Sequence, residues 1–427
     1  MSAAQNCAGS DVYKSQIVVI GVLRELDFND LGEKNNATNL ALGHADYTVD
    51  EVITEALANA TLSSVEMNQY TKQAGHPRLM NILAKIYSNL TGHSINSSTE
   101  ILITVGGYEA IFCAIYGHVN PGDEVIIIEA FFEDYEPVTK FAEGKSVFVP
   151  LRPKKTDGEL SSRDWVFSEE ELSSKFNRKT KMIILNTPHN PTGKIFTLHE
   201  LQFISQLAIK YNTLVLMDEV YEWMIFDDNK HIRMNTLPGM WNRTITVGSS
   251  GKSFSATGWK IGYAYGPEHL IMPMRIVHQY APSICATPLQ EALAIGYEKE
   301  YEQFNQPSSY FYRFSQSLQQ KRDLLASMLG EVYMKAVIPE AGVFEIFDFS
   351  ELAKRVNYTS EKGDTKDTKF VYWLSNNRKL QAVPFSVFYT KKHRDISQNY
   401  IRLTFARGNE TFEALRRIVD GLKESLS

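Results

Sequence analysis

Short apolar runs and helical periodicity alternate through the middle of this 427-residue chain. Ile101-Leu102-Ile103-Thr104-Val105 is a β-branched run that stops at Gly106-Gly107, and Ala110, Ile111, Ala114 and Ile115 then recur at helical spacing. Pro121-Gly122-Asp123 predicts a turn before a buried strand over 124–129. Further strands are expected over 181–185, 213–217 and 244–247, with a helix over 198–210 between the first two. Strand–helix alternation of this kind builds a mainly parallel sheet with helices on both faces.

The rhythm changes after about residue 300. A long amphipathic stretch over 310–329 leads to strand signals near 332–337, 343–349 and 401–405, and a last helix is expected over 410–426. The pattern predicts a smaller α+β domain at 301–427, a large domain at 46–300, and an N-terminal arm at 1–45 that is extended and packs on the small domain. The charged run over 361–367 reads as a solvated surface loop.

Composition narrows the class without choosing a function. The chain is 43% hydrophobic and 22% charged, which is ordinary for a globular protein and argues against disorder. A net charge of -6 gives no basis for nucleic-acid binding or for an anionic membrane surface. The apolar run over 17–23 is too short to span a bilayer. Cys7, Cys113 and Cys285 lack metal-ligand spacing and read as reduced thiols, so no metal is expected. The N-terminus has neither a secretory pattern nor an Arg-rich amphipathic one; the expected compartment is the cytosol, with the mitochondrion left open.

Chemistry enters with Ser249-Ser250-Gly251-Lys252-Ser253-Phe254, followed eight residues after Lys252 by Lys260. A lysine among Gly and small hydroxyl residues is poorly suited to a core and well suited to carry a reactive amine beside a phosphate. Asn186-Thr187-Pro188-His189-Asn190-Pro191-Thr192-Gly193 and Met217-Asp218-Glu219-Val220-Tyr221 complete a pattern that points to a pyridoxal phosphate site, with Lys252 as the Schiff-base lysine. Gly106-Gly107, Asn190, Asp218 and 249–252 each follow a predicted strand, and ligands of doubly wound sheets collect at that edge.

The residue types match the task. Asp218 can face the pyridine nitrogen and keep it protonated. Tyr221 and the Asn190 amide can bond the ring oxygen. The amides of Gly107 and Tyr108 open a helix, and Ser249 and Lys260 add a hydroxyl and a cation for phosphate. Phe132 can stack on the ring, and Arg402 can grip a substrate carboxylate with two bonds. Each also has an ordinary reading taken alone: surface lysine, helix-capping aspartate, core aromatic, common turn, edge-strand arginine.

Together the blocks resemble fold-type I, class I/II aminotransferases from about Asn39 to Arg407. The resemblance is carried by NTPHNPTGK, MDEVYEW, SSGKSFSATGWKIGY and ITVGGYEAIF. Within that superfamily, NQYTKQAGHPRL, IIIEAFFEDYEPV and FSATGWKIGY are most similar to the kynurenine aminotransferase, glutamine transaminase K and cysteine-conjugate β-lyase branch. The resemblance implies an α/β fold with a seven-stranded-type sheet and the residue roles given above. It also implies a homodimer with shared active sites, in which Tyr70 reaches the other subunit's phosphate.

The expected activity is transfer of the amino group of kynurenine, or of another large amino acid, to a 2-oxo acid, kynurenine giving kynurenic acid. Cysteine-S-conjugate β-lyase activity is expected on the side, and Phe344 and Tyr70 are candidate pocket aromatics. A dedicated lyase or cyclase of the same fold and a noncatalytic binding protein are the alternatives. Three departures bear on specificity: Ala41 begins Ala-Leu-Gly-His-Ala-Asp where Gly-x-Gly-x-Pro-Asp is usual, Ala130 replaces a proline, and Ile284 stands where relatives carry histidine.

Overall fold

The computed structural model describes residues 25–155, 157–304 and 306–426, with side chains from Asp27 onward. Cys7 and the apolar run over 17–23 lie outside the described residues. Seven strands form the main sheet: β1 (Ile101–Thr104), β2 (Glu124–Glu129), β3 (Lys145–Pro150), β4 (Thr180–Asn186), β5 (Leu214–Asp218), β6 (Thr244–Ser249) and β7 (Gly262–Tyr265). They lie in the order β1-β7-β6-β5-β4-β2-β3, with β7 antiparallel to its neighbours and every other pair parallel.

Both faces of this sheet are buried, which is why its central strands read as unbroken apolar runs. In β2, Ile126 and Ile128 pack into one core while Val125 and Ile127 pack into another across the sheet. β4 divides in the same way, with Ile183 and Leu185 on one side and Met182 and Ile184 on the other. Each such side chain contributes about 1.5–3 kcal/mol of burial free energy. Strands β3 and β7 escaped the sequence reading for different reasons. β3 is a half-exposed edge, and β7 is Gly-Tyr-Ala-Tyr, with no β-branched residue.

A second sheet of five short strands has the order Val383–Pro384, Tyr400–Thr404, Phe344–Asp348, Lys335–Ile338, Leu160–Ser161. The expected strand near 332–337 starts later than the sequence implied, because Tyr333 takes a left-handed φ of 63° in the turn after the helix Tyr310–Gly330. The last strand of this sheet comes from early in the chain.

Two expectations are corrected. The described part of the N-terminal segment is not simply extended. Glu25–Lys34 is a helix, and Thr38–Asn39 then pairs in parallel with Leu380–Gln381. The charged run is a solvated loop only in its first half. Thr365 is buried and caps the helix Lys366–Trp373, while buried Asp367 accepts a hydrogen bond from the Ser386 amide at 2.6 Å. A cap oxygen and a carboxylate that satisfies a backbone donor look like solubilising residues in a sequence, but both are spent on the fold. Among the described residues no helix is long and apolar enough to cross a membrane.

Candidate active site

The C-terminal ends of β1, β2, β4, β5 and β6 open onto one cleft of about 1130 Å³, solvent mouth included. Gly106, Gly107, Tyr108, Phe132, Asn190, Asp218, Tyr221, Ser249, Lys252, Lys260 and Phe344 all line it. Four blocks spread over some 150 residues of sequence are therefore gathered by the parallel topology.

Lys252 sits on a short helix, Ser250–Ser253, that follows β6 directly. Its Nζ donates to the Gly43 carbonyl at 3.0 Å and stands 5.5 Å from the centre of the Tyr221 ring. Gly43 is required there, because a Cβ on it would lie 2.3 Å from the Phe344 ring.

Asp218 ends β5 and is 4% exposed. The Tyr135 hydroxyl donates to its Oδ2 at 2.6 Å. Burial pushes the Asp218 carboxyl up to about 6, although the Tyr135 bond, the Val220 amide and the Lys252 charge pull the other way. Tyr135 is itself pushed well up, by burial and then by the neighbouring Asp218. A buried acid held this far from its ordinary value is matched to a cationic partner that the cleft would receive.

Asn190 is oriented from behind. Its Oδ1 accepts from Arg402 Nη1 at 2.9 Å, and its backbone N–H donates to Asn186 Oδ1 at 2.6 Å. The side-chain NH2 is thus the end available as a donor. The two peptide bonds Thr187–Pro188 and Asn190–Pro191 are cis. Asn186 Nδ2 and the Thr187 amide both donate to the Asp218 carbonyl, fastening this turn to β5.

The opposite corner is built of donors. The helix Gly106–His118 opens with Gly106 at φ 75°, and a Cβ on Gly106 would sit 3.6 Å from Lys260 Nζ. A side chain would fill that gap. Lys260 Nζ rests 4.6 Å from the centre of Tyr108, which meets Phe132 edge-on at 5.1 Å. Ser249 and Thr257 bring hydroxyls to the same wall. Backbone N–H groups at a helix start, hydroxyls and an ammonium suit a phosphate. With a carboxyl at the far end and aromatics between, the donor set fits pyridoxal phosphate.

Not every sequence candidate meets the cleft. Arg402 is fully buried and lies behind the wall, stacked 3.7 Å from the centre of Phe344 and 4.8 Å from that of Phe388, with Nη2 donating to the Ala41 carbonyl at 2.7 Å. It sits on an interior strand, so the edge-strand reading does not hold. Tyr70 is 89% exposed and does not line the cleft of its own chain. Of the three departures, Ala41 supplies a carbonyl to Arg402, Ala130 is buried in the core, and Ile284 does not line the cleft.

Sequence reasoning missed Asn186, Tyr135, His44 and Glu133. Tyr135 is three residues beyond Phe132, and that spacing was the available signal. His44 and Glu133 stand on the cleft wall.

The family model for class I and II aminotransferases matches residues 35–421. The chain belongs to the class I and II aminotransferases. It is 44% identical to rat kynurenine–oxoglutarate transaminase 3 over 395 residues, covering 92% of this chain and 86% of that one. It is 41% identical to human kynurenine–oxoglutarate transaminase 1, covering 91% and 93%. The solved structure of Bna3p from Saccharomyces cerevisiae matches with a TM-score of 0.90 at 29% identity, covering 98% of this chain and all of that one. The structure of YbdL from Escherichia coli, for which a methionine aminotransferase function is described, matches with a TM-score of 0.83 at 27% identity, covering 96% and 99%. The aminotransferase is therefore a pyridoxal phosphate enzyme of fold type I whose substrates are an amino acid and a 2-oxo acid.

Proposed function

We propose that this aminotransferase moves the amino group of kynurenine to a 2-oxo acid, releasing the oxo acid that cyclises to kynurenic acid. The observation that carries the reading is the single cleft that joins Lys252, Asp218 and the glycine–lysine corner, in a chain 44% identical over 395 residues to a kynurenine–oxoglutarate transaminase. Pyridoxal phosphate, once bound, supplies an electron sink for charge that develops at the substrate Cα.

This chain's residues do the rest. Lys252 Nζ holds the cofactor covalently and, when displaced, carries the proton away from Cα. Asp218 meets the ring nitrogen, and Tyr135 keeps that carboxylate aimed. Tyr221 and the Asn190 NH2 donate to the ring oxygen, and Phe132 covers the ring. Gly107, Tyr108, Ser249 and Lys260 hold the phosphate. Arg402, packed behind Phe344 and bonded to Asn190, is the side chain assigned to the donor's carboxylate, because a planar guanidinium binds a carboxylate with two charge-assisted hydrogen bonds. Phe344 walls the side-chain pocket.

The working unit in this reading is a homodimer. Leu62, Val65 and Tyr70 are exposed by 86%, 71% and 89%. Apolar side chains so open on one stretch fit a face that a second copy covers, with Tyr70 serving the partner's phosphate and substrate. Residues 1–45, 46–300 and 301–427 act as arm, large domain and small domain, and the compartment is the cytosol.

An amino-donor panel tests the reading, with the best donor then run against several oxo acids. Kynurenine is expected to transaminate and to leave pyridoxamine phosphate on the enzyme in a single turnover. Donor-derived pyruvate and ammonia, with the aldehyde cofactor regenerated, would indicate a lyase instead. Borohydride reduction followed by peptide mapping is expected to find the adduct on Lys252, and an adduct elsewhere would overturn the assignment.

A further inference from the structure

Behind the cleft, the turn Asp218–Glu222 presents a second set of charges to the protein interior. Arg233 is 8% exposed and bridges two carboxylates, with Nη1 2.5 Å from Glu219 Oε2 and Nη2 2.5 Å from Glu222 Oε2. His231 Nε2 lies 2.8 Å from the same Glu219 oxygen. Glu219 and Glu222 alternate along the turn with Asp218 and Tyr221, so one side of the turn is clamped while the other faces the cleft. The network continues from Glu222. Its Oε1 accepts from the Tyr87 hydroxyl at 2.5 Å and from Tyr263 at 3.3 Å, and the two hydroxyls are 2.5 Å apart.

Tyr263 carries the connection to the donor corner. It lies on β7, and its ring fills the space over Gly248, where a Cβ would come within 2.3 Å; Gly248 precedes Ser249. One residue along β7, Gly262 lies so close to the helix start that a Cβ would be 2.4 Å from Gly106 C and 2.5 Å from Gly107 N. The acid corner and the phosphate corner are thus joined through hydrogen bonds and backbone packing that run behind the cleft and reach its wall at Gly106, Gly107 and Ser249.

We propose that Arg233 is a positioning residue for the reaction: it fixes the turn that aims Asp218 and Tyr221 into the cleft, and through Glu222, Tyr87 and Tyr263 it registers that turn against the phosphate corner. A guanidinium holds two carboxylates at fixed angles, whereas an ammonium supplies the charge without the planar fork and does this only in part. The inference rests on the cofactor reading above, and the two fail differently. Wild-type protein that takes up no pyridoxal phosphate would sink the cofactor reading, whereas this inference is judged on variants of protein that does.

The test uses Arg233→Met, Arg233→Lys and Tyr87→Phe. In the holoenzymes, the pH midpoint of the cofactor's visible absorption is titrated. In the apoproteins, inorganic phosphate competes with pyridoxal phosphate uptake. Arg233→Met is expected to move the midpoint by about one pH unit and to lower kcat more than it raises KM. Arg233→Lys should restore part of that shift. Tyr87→Phe, which keeps every charge, should weaken phosphate competition by about tenfold, the effect of losing roughly one hydrogen bond to a charged group. Variants with a lower melting temperature but wild-type midpoint and wild-type phosphate competition would reduce Arg233 to a purely structural role. If Arg233→Met does not fold, Arg233→Lys and Tyr87→Phe decide the matter by the same two readouts.

Discussion

Asp218 and Glu219 are consecutive acids, both almost wholly buried, and the fold treats them in opposite ways. Burial pushes Asp218 up to about 6, and the Tyr135 hydroxyl, the Val220 amide and the Lys252 charge together do not offset it. Burial pushes Glu219 up as well, but the His231 and Arg233 charges outweigh it and leave the group below the ordinary carboxylate value. The difference is one of partners, not depth. An acid that must meet a ligand is left short of positive charge, and an acid that must hold a turn is given it.

The contrast can be broken from either side. Asp218→Asn is expected to lower kcat by about 10²–10⁴-fold, because an amide cannot hold a proton on a ring nitrogen. The apoprotein should meanwhile melt no lower than wild type. A variant with near wild-type turnover would end the assignment of Asp218. Glu219→Gln should do the reverse where stability is concerned. Removing one member of a buried pair leaves Arg233 under-compensated and should cost about 3–5 kcal/mol in urea unfolding.

pH sharpens the same comparison. The folded value for Asp218 is raised above 3.8, so its contribution to apoprotein stability is fully present below about pH 4 and is lost as pH rises through about 6. The loss should reach ~3 kcal/mol. Asp218→Asn apoprotein should lack this dependence, and unfolding curves of the two proteins at several pH values check it. Parallel curves would mean that Asp218 keeps an ordinary value in the empty cleft.

A third buried acid gives the smallest effect. Glu345 sits next to Phe344 on the small sheet, with neither carboxyl oxygen hydrogen-bonded, and burial raises it well above the usual range against a weaker pull from Arg322. A carboxyl whose charged form burial disfavours loses little on becoming an amide. Glu345→Gln should change the melting free energy at neutral pH by less than about 1 kcal/mol, far less than Glu219→Gln.

Much of this was legible in the chain. Ile101–Thr104 and Glu124–Glu129 announced themselves as strands because a sheet covered on both faces needs apolar residues at every position. Lys252, Asp218 and Asn190 were legible because each stands at a strand end in a block of unusual residues. Tyr135 and Arg233 were not legible. Each acts through a partner brought near only by folding; the spacing of Tyr135 from Phe132 is a weak local signal, and Arg233 carries none. Glu25–Lys34 and the Thr365 cap were misread because exposure and polarity in sequence do not reveal whether an oxygen is spent on solvent or on a backbone N–H.

By itself the sequence determined the layered α/β architecture, the cofactor chemistry and the strand-end blocks that the fold gathers on one cleft, since these depend on periodicity and on short blocks at strand ends. Only the tertiary structure decided which acid is poised and which is clamped. It also turned Arg402 inward behind Phe344 and tied the two ends of the cleft together through Tyr87 and Tyr263. Proton affinity and orientation depend on which charges and dipoles stand within a few ångströms, and those neighbours come from residues far apart along the chain.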